Sequence, residues 1–392
     1  MKRIKNYIKV SLLIGIVLTV FLAGCSPSGS SSCSGAQAQG WSGFVKYNNV
    51  LCFGSMEGKV IALDPQARSD NKTYPAEGEW FYTLKTASPG AACGAMCSPS
   101  GGSVSPGIYS TPAVVDELIF VGTYSGKIYA FNANRGVIRW IYPREGVDTV
   151  GAVVAPIITD GESLYFGSSN NKVYSLDAAT GDFRWEFATS NKIWVAPVID
   201  NGIVYVGNYA GEVFALSAET GKPVWDIKVP SAVSSSLAVY KDNLYFGTFD
   251  RYLYAIDKSN GQEKWKYSGG NWFWAKPVVK DGRVYATCLD RKVYALDADT
   301  GKEIWQFTAD SPVTASAAVC GKYVYAVCDL GIVYKLDAET GSAISNVPVG
   351  FTVLASPYAI DDMVYVYARD HYVYAVDTAK GEVTWKFSSS LK

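Results

Sequence analysis

Apolar and polar residues alternate in short runs along most of this chain, and turn residues interrupt the runs at regular intervals. The clearest stretch is residues 293–307, VYALDADTGKEIWQF. Val293 and Ala295 begin an alternation that suits a half-buried strand. Residues 297–302 supply turn chemistry: a carboxylate that can bond nearby backbone N–H groups, then Gly301, where φ can be positive. Trp305 opens a second strand. A Trp at a fixed place after a turn is an apolar plug of about 150–250 Å², and it needs a neighbour to fill.

Repetition supplies that neighbour. SLDAATGDFRWEF ends at Phe187, ALSAETGKPVWDI at Ile227, AIDKSNGQEKWKY at Tyr267 and AVDTAKGEVTWKF at Phe387. Looser copies end at Tyr142 (AFNANRGVIRWIY) and at Val347 (KLDAETGSAISNV), the latter with Ser345 in the Trp position. The most degenerate copy starts at Lys59, carries an insertion and reaches Trp80. The landmark positions are 80, 140, 185, 225, 265, 305, 345 and 385, and the spacing is 40 from 185 onward. Self-similarity at this period marks a propeller or a solenoid.

The unit around residues 194–227 predicts four strands, at 195–199, 203–207, 212–216 and 224–228. Asp200-Asn201-Gly202 forms a hairpin turn between the first two. No room is left for a helix. A four-stranded meander cannot bury both faces alone, so such units must stack, and radial closure hides the terminal faces. The expectation is an all-β, eight-bladed β-propeller of four-stranded antiparallel blades over residues 41–392, acting as a monomer. Blade 1 is expected at 41–84 with a stretched third turn, a linker at 85–107, blade 2 at 108–142, blade 3 at 150–187, then five blades in phase. The ring should close mainly by packing of blade 1 on blade 8, with an outer strand from 34–40 as the lesser option. Blade 7, lacking its Trp, should be the loosest joint.

The Trp column resembles the tryptophan-docking pattern Ala-x-Asp-x-x-x-Gly-x-x-x-Trp of quinoprotein dehydrogenase propellers, over nearly the whole chain after the N-terminal segment. The resemblance implies that Trp140, Trp185, Trp225, Trp265, Trp305 and Trp385 each wedge between their own blade and the next, close to a turn peptide.

The N-terminus reads as a targeting segment. Lys2, Arg3, Lys5 and Lys9 precede an apolar run at 10–21 that is short for a spanning helix. Leu22-Ala23-Gly24-Cys25 looks like a bacterial lipobox, which implies lipidation of Cys25 and cleavage before it; an uncleaved anchor is the other reading. Both place the remainder outside the cytoplasm. Residues 1–24 are thus a lipoprotein signal peptide, and the Ser/Gly/Gln-rich 25–40 a flexible tether. Losing the four basic residues of that peptide takes the net charge from −1 to −5. With no basic stripe, nucleic acid is excluded as a partner class. Of eight cysteines, Cys93 and Cys97 suit a local disulfide, with a redox role as the alternative. Cys52, Cys288, Cys320 and Cys328 read as small buried thiols.

Candidate chemistry is sparse. The single histidine, His371, excludes a His-rich metal site and a haem-attachment motif, and it reads as an exposed turn residue. No metal site is expected. Quinoprotein alcohol dehydrogenases hold pyrroloquinoline quinone with calcium on the propeller axis, using adjacent cysteines, an aromatic platform and a catalytic Asp. This chain has no Cys-Cys pair, and no position takes over the calcium ligands or the base. No cofactor is therefore expected, and no catalytic residue. The lipobox, repeats and length are also similar to the propeller lipoproteins of outer-membrane barrel-assembly machineries, which carry no cofactor.

A site, if present, should lie where the starts of the first strands meet the turns between second and third strands. Blade 6 opens with Trp272, Trp274 and Lys276 there, Trp194 joins from blade 4 and Tyr109 from blade 2. The turns add Arg251, Arg291 and Arg369, with Asp250, Asp290 and Asp370 beside them. An aromatic shelf with a cation at a channel mouth could hold a flat anionic ligand or a peptide segment. Alternatively, the Trp residues are core plugs and Lys276 is solvated or paired. The resulting expectation is a lipid-anchored, extracytoplasmic, non-enzymatic scaffold that binds other envelope proteins. The alternative is a quinone-dependent oxidoreductase, or a propeller binding the quinone or another small ligand.

Overall fold

Each repeat folds into one antiparallel sheet whose four strands are consecutive in the chain. The computed structural model describes residues 42–85, 107–144 and 150–391. Blade 1 contains β1 (Val45–Tyr47), β2 (Val50–Gly54), β3 (Lys59–Leu63) and β4 (Trp80–Thr83). Blade 2 contains β5 (Ala113–Val115), β6 (Leu118–Gly122), β7 (Ile128–Asn132) and β8 (Ile138–Tyr142). Blade 3 contains β9 (Ile158–Thr159), β10 (Ser163–Gly167), β11 (Lys172–Asp177) and β12 (Phe183–Ala188). Blade 4 contains β13 (Val198–Asp200), β14 (Ile203–Gly207), β15 (Glu212–Ser217) and β16 (Pro223–Lys228). Blade 5 contains β17 (Ala238–Tyr240), β18 (Asn243–Gly247), β19 (Tyr252–Asp257) and β20 (Glu263–Ser268). Blade 6 contains β21 (Val278–Lys280), β22 (Arg283–Thr287), β23 (Lys292–Asp297) and β24 (Glu303–Thr308). Blade 7 contains β25 (Ala318–Cys320), β26 (Tyr323–Val327), β27 (Ile332–Asp337) and β28 (Ala343–Pro348). Blade 8 contains β29 (Tyr358–Ile360), β30 (Met363–Tyr367), β31 (Tyr372–Asp377) and β32 (Glu382–Ser388).

Local chemistry explains these bounds. The first strand of blade 4 starts at Val198 rather than 195, because Pro197 has no N–H for the ladder. The turn that follows holds Asn201 at φ 48° and Gly202 at φ 74°, as a two-residue hairpin loop requires. In the blade 6 turn, Asp297 Oδ1 accepts from Thr300 N at 2.8 Å and from Thr300 Oγ1 at 2.7 Å. A β-bulge follows in blades 2 to 8, at Ala295/Leu296 in blade 6. The bulge shifts the register so that Trp305 pairs with Ala295. In blade 1 the stretched third turn contains a helix that the strand pattern did not predict, α1 (Pro65–Ser69), capped by the Asp64 side chain.

Eight apolar cores lie between blades, one per joint. At six joints an indole N–H crosses to a backbone carbonyl of the next blade. Trp80 reaches Ala133, Trp140 reaches Ala178, Trp185 reaches Ala218, Trp225 reaches Lys258, Trp265 reaches Ala298 and Trp305 reaches Ala338, at 2.7–3.1 Å. The Ala298 carbonyl also accepts the Tyr245 hydroxyl at 2.9 Å. Ser345 makes the equivalent bond from blade 7, donating to Thr378 O at 2.8 Å. Trp385 finds α1 in place of a tight turn and donates to Ser69 Oγ at 3.2 Å.

The ring closes by packing of blade 1 on blade 8, and no described strand passes from one to the other. Phe53 and Tyr367 meet at 5.3 Å between ring centroids, and Met56 N donates to Tyr367 Oη at 3.1 Å. Lys59 Nζ donates to Leu391 O. His371 is only partly exposed, and its Nδ1 lies 2.5 Å from Glu57 Oε1 of blade 1. His371 thus keeps the expected turn position, at φ 68°, but is not the exposed residue that was expected. Cys52, Cys288 and Cys328 are buried free thiols, while Cys320 is partly exposed; burial pushes the Cys52 and Cys288 thiols up to about 12. The expected lipidation at Cys25, the Cys93–Cys97 disulfide and the outer strand at 34–40 fall outside the described residues, as does most of the 85–107 linker.

Candidate functional site

One end of the ring is built by a repeated hydrogen bond. The turn between second and third strands donates a backbone N–H to the segment leading into the first strand of the same blade. The pairs are Tyr209 to Lys192, Phe249 to Ala232, Leu289 to Trp272, Asp329 to Pro312 and Arg369 to Thr352, at 2.9–3.1 Å. First strands of neighbouring blades touch one another around the axis. In the lead-in of blade 6, Phe273, Ala275 and Pro277 are buried while Trp272, Trp274 and Lys276 are not. That alternation turns the latter three toward the channel.

Trp194, Trp272 and Trp274 are brought together, but only through two aromatic residues that the sequence reading missed. Tyr209 meets Trp194 at 5.2 Å and 70°, Phe249 meets Tyr209 at 5.6 Å and 76°, and Trp272 meets Phe249 at 4.8 Å and 69°. Trp274 joins Phe249 at 5.8 Å. Edge-to-face contacts of this kind are favoured by the ring quadrupoles. They leave a half-buried aromatic arc across blades 4 to 6. Lys192 caps one end, its Nζ 3.7 Å from the Trp194 ring centroid and 5.1 Å from that of Tyr209. The available signal was an aromatic residue two places before the positive-φ position of the turn, as at Tyr209 and Phe249.

The other candidates take different places. Lys276 lies two residues further down the channel than Trp274. It is accessible to solvent, yet surrounding protein strips much of its hydration and holds its ammonium below the usual lysine range. Arg251 and Arg291 occupy the positive-φ turn position, at 73° and 75°, and are exposed. Arg369 shares the column of Tyr209 and Phe249 but belongs to blade 8. Tyr109, in blade 2 across the ring from blade 6, is buried against Tyr124 at 5.5 Å, and burial followed by Tyr124 pushes its hydroxyl up to about 12. Asp290 and Asp370 serve their own turns: Asp290 accepts from Gly270 N at 2.9 Å and Tyr294 Oη at 2.5 Å, and Asp370 accepts from Tyr374 Oη.

The axial donor set does not fit a calcium-bound quinone. Calcium takes six to eight oxygen ligands, and among the described residues no group of three or more His, Cys, Asp or Glu could hold a metal ion. Asp329, in the blade 7 turn between second and third strands, accepts from Thr314 Oγ1 of the lead-in at 2.6 Å, and burial raises its carboxyl above the usual range.

A family model described as outer membrane protein assembly factor BamB matches residues 84–193, 188–271, 235–345 and 289–392. The chain belongs to the BamB family. No curated protein matches it. The crystal structure of BamB from Moraxella catarrhalis is similar at a TM-score of 0.64 and 20% identity, covering 83% of this chain and 91% of that one. The crystal structure of the computationally designed Ika8 protein is similar at a TM-score of 0.69 and 18% identity, covering 86% and 95%. At such identities both likenesses speak for the propeller alone. This BamB-family propeller has no helix among its described residues long and apolar enough to cross a membrane.

Proposed function

We propose that this chain is a lipid-anchored extracytoplasmic scaffold that holds a protein of the envelope-assembly machinery against the end of the ring bearing Trp194, Trp272 and Trp274. The aromatic arc carries this reading. Half-buried Trp and Tyr side chains offer large, rigid contact area at low entropic cost, which is why they dominate protein-binding hot spots. Membership of the family described as an outer-membrane assembly factor supports the setting. The lipobox ending at Cys25 supports the anchor, with residues 1–24 removed, 25–40 as tether and the propeller as a monomer. A non-enzymatic role is supported by the lack, among the described residues, of a group of three or more His, Cys, Asp or Glu that could hold calcium.

The test is capture from solubilised membranes with the purified propeller, followed by mass spectrometry. Wild type should retain a barrel-assembly component, and the Trp194→Ala/Trp272→Ala variant should lose at least about tenfold of it, since two hot-spot truncations exceed 1.4 kcal/mol together. Undiminished capture by a variant with normal melting behaviour sinks the docking face. A new absorbance band after adding pyrroloquinoline quinone and calcium would instead favour the oxidoreductase reading.

A further inference from the structure

Lys276 belongs to a ring of equivalent positions, one per blade, at the entrance of the first strands. The other seven positions carry Gly, Ala, Ser or Thr, so Lys276 is the one long side chain in the ring. Neighbouring members touch. Ala196 N donates to Ser236 Oγ at 2.9 Å, and Ser316 N donates to Ser356 Oγ at 3.2 Å. Each serine oxygen is thereby satisfied as an acceptor, and its O–H remains to be donated. Ser316 Oγ has no protein partner among the described residues, and Lys276 Nζ has no carboxylate there within 4.0 Å. Blades 5 to 8 thus turn four donors toward the axis, with no protein acceptor assigned to them.

We propose that the axial channel is an oxyanion site, in which Lys276 supplies the charge, Ser236, Ser316 and Ser356 supply hydroxyl hydrogen bonds, and the ligand is a carboxylate or a phosphate. This inference does not rest on the docking face. A lysine deprived of hydration gains more from an arriving anion than one in open water, because the anion restores interactions that burial removed. Asp329, on the neighbouring blade 7, is already engaged by the Thr314 hydroxyl at 2.6 Å. The oxyanion can come from a free solute or from an acidic side chain of another protein reaching into the channel.

Isotope-labelled reductive methylation makes each lysine visible by NMR, and the Lys276 signal is the one missing from Lys276→Met. Inorganic phosphate added at constant ionic strength should move that signal alone, with saturation in the millimolar range. The Ser236→Ala/Ser316→Ala variant should bind about tenfold more weakly, a change of about 1.4 kcal/mol. Saturation by phosphate assigns a free solute. Saturation by a hexaglutamate peptide but not by phosphate assigns a protein-borne carboxylate. A signal unmoved by both overturns the site, and so does a common drift of many lysine signals, which means an adventitious ion only. Should Lys276→Met fail to fold, Lys276→Arg supplies the same assignment.

Discussion

Lys335 and Ser345 stand opposite each other on β27 and β28, where the seven other blades set a small residue opposite a Trp. Bulk has changed strands at this joint. The Lys335 side chain is only 6% exposed, pairs with Asp362 of blade 8 and lies 4.0 Å from the Tyr323 ring centroid. Ser345 keeps the hydrogen bond that an indole would make. The emptied slot behind the expectation of a loose blade 7 is therefore partly filled. Lys335→Ala should cost about 2–4 kcal/mol, as the truncation of a long buried side chain packed on Tyr323. Adding Ser345→Trp should recover most of that loss. Denaturant midpoints check this: losses that merely add would defeat the account.

The turn glycines report on the same exchange. A Cβ on Gly341 would sit 2.5 Å from Trp305, whereas one on Gly381, the neighbour of Ser345, meets nothing within 4 Å. Both residues have positive φ, 72° and 75°, so Ala carries a similar backbone cost of about 1–2 kcal/mol at each. Gly341→Ala should cost about 1–3 kcal/mol more than Gly381→Ala, the overpacking penalty. Equal melting temperatures for the two variants would show that the indole does not press on the turn.

The joint between blades 8 and 1 should respond to acid through Glu57. Burial pushes its carboxyl up, but hydrogen bonds from Ser55, Ser390 and its own backbone N–H, with His371 alongside, more than offset this, and the net shift is downward. A depressed carboxyl contributes stability above its unfolded value of about 4.3, and the contribution fades as pH falls through the folded value. Glu57→Gln should be less stable than wild type at neutral pH, and the gap should narrow below about pH 4. Melting curves across the acid range measure it; a gap independent of pH removes Glu57 from the titrating groups.

Blade count, turn residues and the Trp ladder were legible because a 40-residue period records them directly. Lys335 was not, because its meaning depends on the residue across the strand pair, and a period counts positions without comparing volumes. The bulges were hidden for a related reason: an extra residue before Trp305 reads as one more member of a strand. Trp194, Trp272 and Trp274 could be named from a column. Tyr209 and Phe249, which join them, sit in a different column and meet them only in three dimensions. Lys276 was visible as an odd charge among small residues. That it shares a side with Trp272 and Trp274 needed the burial alternation from Trp272 to Pro277. Tyr109 shares the column of Trp194 and Trp274, yet a column says nothing of which side of the ring a blade occupies.

Closure without a shared strand has a further consequence. Every described blade holds all four of its own strands, so no backbone pairing dictates how many blades the circle contains. That number is set by the angle at each joint, which depends on the side-chain volume wedged between facing sheets. Duplication or loss of one 40-residue unit would leave every remaining ladder intact and ask only that the joints re-tilt. Blade number is thus a quantity that side chains such as Lys335 and the docked indoles tune.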